Sequence, residues 1–318
     1  MRYLVAGGAG FLGSHLCKRL LLENHEVVCV DNLYTGSLTN ISIFESEKNF
    51  HFIDHDICKP LEIRNLDGIF NFACPASPVA YQKNPIQTLK TSIIGSSILL
   101  DLAKQTNARI LQASTSEVYG DPLISPQSEQ YWGNVNPIGI RACYDEGKRA
   151  AETLFIDSFR MNQSKVQIAR IFNTYGPNMS FNDGRVVSNF IVQALLNEPL
   201  TVYGDGTHVR SFCFVDDLIE GVLKLFGQTS FIGPVNLGNP ESISMLDLAK
   251  EIIEITSSKS EIIFRDLPSD DPKIRIPDIS KAKRELIWEP KISRSKGLRE
   301  TVEFFKEAMR QEVHPQQD

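Results

Sequence analysis

The chain lacks any unbroken apolar stretch near the roughly 18 residues that a membrane span requires. Its opening residues, Met1-Arg2-Tyr3-Leu4-Val5-Ala6, reach a glycine cluster after a few apolar positions, too soon for the core of a signal peptide. No membrane partner is expected. The six cysteines (Cys17, Cys29, Cys58, Cys74, Cys143, Cys213) form no CxxC pair and show no metal-ligand spacing with the six histidines. That excludes a disulfide framework and a bound metal, and predicts reduced thiols in a cytoplasmic chain. Basic excess is also missing: 33 Lys+Arg against 39 Asp+Glu give a net charge of −6 and a pI near 5.6. A nucleic-acid partner, which wants a basic face, is excluded. There are no internal repeats and no low-complexity tracts, and 42% hydrophobic residues are too many for a disordered chain.

What is present is the material of a folded α/β protein. A length of 318 residues suggests two domains, or one large unit with an appendage. Arg2–Ala6 is a short apolar run that ends at Gly7-Gly8-Ala9-Gly10-Phe11-Leu12-Gly13. Ser14–Glu23 carries Leu16 and Leu20 at helical spacing, and Glu26–Val30 reads as a second buried strand that ends at Asp31. In such a unit the helix N-terminus lies beside the carboxyl end of the first strand. A diphosphate there must approach backbone N–H groups where any side chain would intrude. Gly7 and Gly10 allow the turn and the approach, while Gly13 lets the helix pack close. The run fits both G-x-G-x-x-G and G-x-x-G-x-x-G. Asp31, 18 residues past Gly13, places a carboxylate where a ribose diol would donate to it. The same carboxylate would repel a 2′-phosphate, so the cofactor predicted is NAD, not NADP.

Alternation continues through Phe50–Ile53, the strand Gly68–Ala73, a long helix Thr88–Lys104, the strand Ala108–Ala113, a helix Tyr144–Phe159 and the strand Val166–Ile171. This predicts a doubly wound parallel sheet (Rossmann) with ligand at the carboxyl ends of the strands. Past about residue 175 the pattern loosens into turn-rich stretches at Asn178–Arg185, Gly204–Gly206 and Pro268–Pro277. The expected organisation is an NAD-binding domain over 1–175, to which about 208–240 returns. A smaller, discontinuous α+β domain over 176–318 then binds substrate. The tail His314–Asp318 is expected to fray, and Trp132 to pack against its neighbours.

Tyr144 and Lys148 stand four apart on the predicted helix and share a face. A tyrosine is a poor base at neutral pH, but a neighbouring ammonium and a positive nicotinamide ring favour its phenolate. Ser114-Thr115-Ser116-Glu117 follows a strand at its carboxyl end, where hydroxyls can hold a substrate oxygen.

Together Gly7–Gly13, Asp31, Thr115 and Tyr144-x-x-x-Lys148 resemble the extended short-chain dehydrogenase/reductases of the nucleotide-sugar epimerase/dehydratase family. Several longer strings resemble the UDP-glucuronic acid decarboxylases within it. These include Ser114–Pro122, Asn136–Gly139, Arg141–Arg149, Ala169–Pro177, Asp183–Phe190 and Pro199–Gly204, and the match runs from Arg2 to about residue 305. Sugar-nucleotide 4,6-dehydratases carry Thr-Asp-Glu where this chain has Thr115-Ser116-Glu117. A second carboxylate would sit badly beside a uronic acid, whereas Ser116 donates a hydrogen bond without repulsion.

The resemblance implies decarboxylation of UDP-glucuronate to UDP-xylose. Tyr144, supported by Lys148 and Thr115, takes the 4-hydroxyl proton; a 4-keto intermediate loses CO2; and the hydride returns to C4, so NAD recycles without leaving. It associates Glu117 and Arg275, the arginine of an Asp-Asp-Pro-x-x-Arg string, with the decarboxylation stage. It implies cofactor contacts from Gly7, Gly10, Phe11, Leu12, Gly13, Asp31, Asn32, Thr35, Asp56, Ile57, Ala73, Tyr144 and Lys148. Substrate contacts are implied for Asn173, Arg185, Thr201, Tyr203, Arg210 and Arg275, the arginines suiting diphosphate and carboxylate. Asn71-Phe72-Ala73-Cys74 departs from the His-Leu-Ala-Ser usual in relatives, and Cys74 is read as a small buried apolar residue. A homodimer built on the helices Thr88–Lys104 and Tyr144–Phe159 is implied, and no membrane anchor of the kind some relatives carry is expected. An epimerase or 4,6-dehydratase acting on another nucleotide sugar, and a non-catalytic NAD-binding sensor, are the alternatives.

Overall fold

The computed structural model describes residues 1–229, 231–267 and 274–313. The tail His314–Asp318 and residues 268–273, with the Asp-Asp-Pro part of the arginine string, lie outside the described residues. Seven parallel strands form the central sheet: β1 (Arg2–Ala6), β2 (Glu26–Asp31), β3 (Phe50–Asp54), β4 (Gly68–Asn71), β5 (Arg109–Thr115), β6 (Val166–Ile171) and β7 (Val235–Leu237). Their order is β7-β6-β5-β4-β1-β2-β3. Val5 of β1 registers with Cys29 on one side and Phe70 on the other. The fold is thus the doubly wound α/β architecture expected.

Sheet residues alternate between two cores, as the period of two along a strand requires. Val5 joins Leu16, Leu20, Leu218 and Val222, from the helices Phe11–Leu22 and Val215–Gly227 on one face. Leu4 and Ala6 join Leu99, Ala103 and Phe155, from the helices Ser96–Thr106 and Ala142–Asn162 on the other. A sheet covered on both faces needs strands apolar on both faces, which is why β1 reads as an unbroken apolar run. Chain order reverses between β1 and β4, and a crevice for ligand opens there at the carboxyl ends.

Smaller elements close over that crevice. Leu200–Tyr203 pairs in parallel with Ile262–Arg265. Val209–Ser211 lies between Ser242–Ser244 and Ile274–Arg275. The long helix expected over Thr88–Lys104 differs from the structure. Helix begins at Pro85, whose fixed φ suits a first turn, with the Asn84 side chain accepting from Gln87 N at 3.2 Å. A π-turn at Thr91–Gly95 interrupts it before Ser96–Thr106 resumes. Gly95 faces Ile57 there, and a Cβ on it would force the Ile57 side chain to move.

Candidate active site

Turns after β1 and β4 meet at the switch point so closely that Gly7 has no space for a side chain. A Cβ on it would lie 2.8 Å from Ala73 N, and its φ of +78° suits glycine. A Cβ on Gly13 would strike the Gly7 carbonyl, so helix and turn touch backbone to backbone. The helix Phe11–Leu22 has Gly10 as its N-cap and no capping side chain, leaving first-turn amides toward the crevice. Asp31 ends β2 with Oδ1 accepting from Leu33 N at 2.8 Å and Oδ2 from Ala9 N at 3.0 Å. Burial pushes its carboxyl up while these amides pull it down.

A cavity of about 720 Å³ follows, lined by Gly7, Gly10, Phe11, Leu12, Gly13, Asp31, Asn32, Thr35, Asp56, Ile57 and Ala73. Glycine cradle, amide-bearing helix end and buried carboxylate fit a dinucleotide: diphosphate at the glycines and ribose diol at Asp31.

A second cavity of about 710 Å³ adjoins it through Leu12, Phe72, Cys74, Met179 and Arg185, which line both. It brings together Thr115, Ser116, Glu117, Tyr144, Lys148, Asn173, Arg185, Thr201, Tyr203, Arg210 and Arg275. Thr115 ends β5, and Ser116 and Glu117 begin a 3-10 turn, Ser116–Tyr119. Ser114 also lines the cavity, yet its hydroxyl donates to Glu152 at 2.5 Å, within a Glu152–Arg170 ion pair. Tyr144 and Lys148 come from the helix Ala142–Asn162, with the Lys148 ammonium 5.8 Å from the Tyr144 ring centre. Lys148 Nζ donates to Ala113 O of β5 at 2.8 Å, and burial lowers its pKa.

Burial pushes the Tyr144 phenol well up, Cys74 adds to the rise, and the Thr115 hydroxyl opposes it. The protein alone therefore keeps Tyr144 a phenol, despite the nearby ammonium. Tyr81 stacks on its ring at 5.2 Å between centres and 5° between planes. Glu117 is held from both sides: Arg141 Nη2 donates to Oε1 at 2.7 Å and Arg275 Nη2 to Oε2 at 2.9 Å. Arg275 also donates to Asn173 Oδ1 at 3.2 Å.

Arg185 pairs with Asp183, so part of its charge is already matched. Thr201 and Tyr203 share one face of their strand, while Leu200 and Val202 are buried behind them. Cys74 is only half-buried and lies 3.3 Å from Ser92 Oγ, which corrects its reading as a buried apolar residue. Trp132 is 88% exposed, so it does not pack; its backbone carbonyl, not its ring, is engaged, by Arg149 at 2.7 Å.

Sequence reasoning missed Arg141 and Tyr81. Arg141 is the N-cap residue of the helix Ala142–Asn162, three before Tyr144, so its one signal is its place just ahead of the Tyr-x-x-x-Lys pair. Tyr81 carried no signal beyond an aromatic among apolar neighbours.

The family model for the NAD dependent epimerase/dehydratase family matches residues 3–238, and the chain belongs to that family. It is 53% identical over 307 residues to UDP-glucuronic acid decarboxylase 2 of Arabidopsis thaliana, covering 96% of this chain and 68% of that one. UDP-glucuronic acid decarboxylase 1 of Xenopus tropicalis is 50% identical over 315 residues, 99% of this chain and 74% of that one. Among solved structures, UDP-glucuronic acid 4-epimerase from Bacillus cereus, in complex with UDP-glucuronic acid and NAD, superposes with a TM-score of 0.88. Its identity is 28%, over 97% of this chain and 100% of that one.

Proposed function

We propose that this chain is an NAD-dependent decarboxylase that converts UDP-glucuronate to UDP-xylose through a 4-keto intermediate. One observation carries it: Glu117, clasped by Arg141 and Arg275, lines the same cavity as Tyr144 and Lys148. Oxidation machinery and a cationic patch suited to a carboxylate thus share one wall.

When bound, NAD+ supplies a hydride acceptor for sugar C4, a hydride donor afterwards, and a positive ring beside Tyr144. The phenolate of Tyr144 takes the proton of the sugar 4-hydroxyl, with Thr115 hydrogen-bonded to its oxygen. Lys148, anchored on Ala113 O, fixes the helix face that presents the phenol and helps offset its negative charge. The resulting β-keto acid loses its carboxyl group as CO2, and the electrons of that bond move toward the C4 oxygen. Tyr144, now protonated, donates to that oxygen and stabilises the enolate. Ser116 offers a hydroxyl without adding charge. Arg275 and Glu117 serve the carboxyl end of the sugar, and Arg185 and Arg210 the diphosphate, with Asn173 bridging them. Thr201 and Tyr203 flank the base.

The test is incubation of the purified protein with UDP-glucuronate, followed by mass spectrometry. Loss of one CO2 without added reductant is the expected result. Unchanged mass with inverted stereochemistry at C4 would instead make it a UDP-glucuronate epimerase, the reading favoured by the Bacillus cereus neighbour.

Assembly is inferred to be a homodimer through the helices around Thr91 and Tyr144, on which Leu89 and Ile94 are 37% and 42% exposed. A cytoplasmic location accords with six free thiols. No helix among the described residues is long and apolar enough to cross a membrane.

A further inference from the structure

Gln193, on the helix Val186–Leu196, lines the second cavity with Thr201, yet it has no part in the function above. Both ends of its side-chain amide are spent on that one residue. Oε1 accepts from Thr201 N at 3.1 Å, and Nε2 donates to Thr201 Oγ1 at 3.3 Å. The orientation of the amide is forced. A backbone N–H can only donate, so the amide oxygen must face it, and the NH2 group is left facing the hydroxyl.

Strand pairing leaves this N–H available. Leu200–Tyr203 runs parallel to Ile262–Arg265 and bonds to it through alternate residues: Leu200 N donates to Glu261 O at 2.8 Å, and Gly204 N to Arg265 O at 2.8 Å. Thr201 N points to the other edge, where Gln193 meets it.

An NH2 group only donates, so the Thr201 hydroxyl is committed to accept from it. Its own hydrogen must be given elsewhere, and no other group among the described residues takes it. Thr201 lines the cavity, so its hydroxyl is presented to a ligand as a donor. Pyrimidine bases divide on this point. Uracil carries a 4-oxo group, an acceptor, whereas cytosine carries a 4-amino group, a donor that would meet the hydroxyl hydrogen head-on. The 4-position lies across the ring from the ribose, so it is the part of the base that reaches furthest from the diphosphate.

We propose that Gln193 is a positioning residue for base choice: its amide holds the Thr201 hydroxyl as a donor toward the 4-oxo group of uracil, and so selects uridine over cytidine diphosphate ligands. This rests on the nucleotide-sugar reading of the cavity, in which Thr201 and Tyr203 flank the base, and it adds how one base is told from another.

UDP and CDP, which differ only at positions 3 and 4 of the pyrimidine ring, are titrated calorimetrically into the NAD-loaded protein at neutral pH. Wild type should bind UDP more tightly. Gln193→Glu exchanges the NH2 group for an oxygen and still accepts from Thr201 N. The Thr201 hydroxyl then donates to the new carboxylate and turns a lone pair to the cavity, where a 4-amino group can donate to it. Preference for UDP should fall by about tenfold, one hydrogen bond having changed its sense. The added negative charge weakens both diphosphates alike and cancels in the ratio. Thr201→Val removes the hydroxyl and keeps the side-chain shape; preference should fall there too, and Gln193→Glu should cause no further fall in that background. A wild-type ratio near one, a ratio unmoved by Gln193→Glu, or an equal fall with and without the Thr201 hydroxyl overturns the proposal. Should thermal melting show Gln193→Glu unfolded, an unchanged ratio in Thr201→Val overturns it alone. Displacement of UDP-glucuronate by UDP is scored separately. If UDP competes while the ratio is unmoved, only the role of Gln193 falls; if UDP does not compete, the nucleotide-sugar reading falls as well.

Discussion

Tyr144, Glu117 and Asp145 sit within one turn of helix and one short loop, yet their surroundings ask different things of them. Burial makes Tyr144 a phenol in the protein alone. Its phenolate must come from charge brought into the site. Tyr144→Phe removes the phenol oxygen proposed to take the 4-hydroxyl proton. Turnover should drop by about 10³-fold, with no transient rise of NADH absorbance on mixing with UDP-glucuronate. Glu117→Gln should fail differently. If Glu117 serves CO2 loss, oxidation still proceeds, and NADH absorbance should rise and stay high while CO2 release slows. For Asp145 the sign follows from the direction of its shift. A carboxyl whose folded-state pKa is raised binds its proton more tightly in the folded chain. Its contribution to stability is therefore full below the ordinary aspartate range and is lost as pH climbs toward 8. Asp145→Asn should thus be more stable than wild type at pH 8, by about 1–3 kcal/mol, in denaturant titrations.

Elements place these residues, and not all of them were legible. β6 spans the Val166–Ile171 segment read as a strand, and the glycine turn was plain because its spacing answers to a steric need that the structure meets: Gly13 against the Gly7 carbonyl, Gly7 against Ala73. Gly13→Ala should cost about 2–4 kcal/mol through overpacking and leave purified protein depleted of NAD, measured by thermal melting and cofactor release. The start of the helix at Pro85 lies before the expected Thr88; Ile86, Leu89 and Ile93 already keep helical spacing there, and a proline and an asparagine cap fix the first turn. The π-turn at Thr91–Gly95 has no sequence pattern of its own; Gly95 under Ile57 is a tertiary fact. Arg141 and Arg275 hold one carboxylate from elements far apart in sequence, and no local window can show that. Trp132 was misread because its type usually packs, while here the backbone carbonyl alone is used. Trp132→Ala should change stability by no more than about 0.5 kcal/mol.

At the scale of the molecule, two cavities joined at Cys74 and Arg185 make one continuous groove from Asp31 to Tyr203. A reaction with no net redox change needs no exchange of nicotinamide, and the glycine cradle would hold the dinucleotide in the cavity that adjoins the second one. Cofactor should therefore remain with the protein through gel filtration, visible in its absorbance. In the proposed homodimer the exposed Leu89 and Ile94 would form an apolar strip at the helix contact. Ile94→Asp should shift the protein from dimer to monomer in light scattering if the inferred assembly is right.

Arg275 reaches Glu117 across 158 residues of chain. A ribosome making this protein displays the glycine turn, Asp31, the phenol and the ammonium long before the guanidinium that completes the carboxylate clasp. Synthesis therefore closes the clasp on Glu117 only after all seven strands of the central sheet have been made.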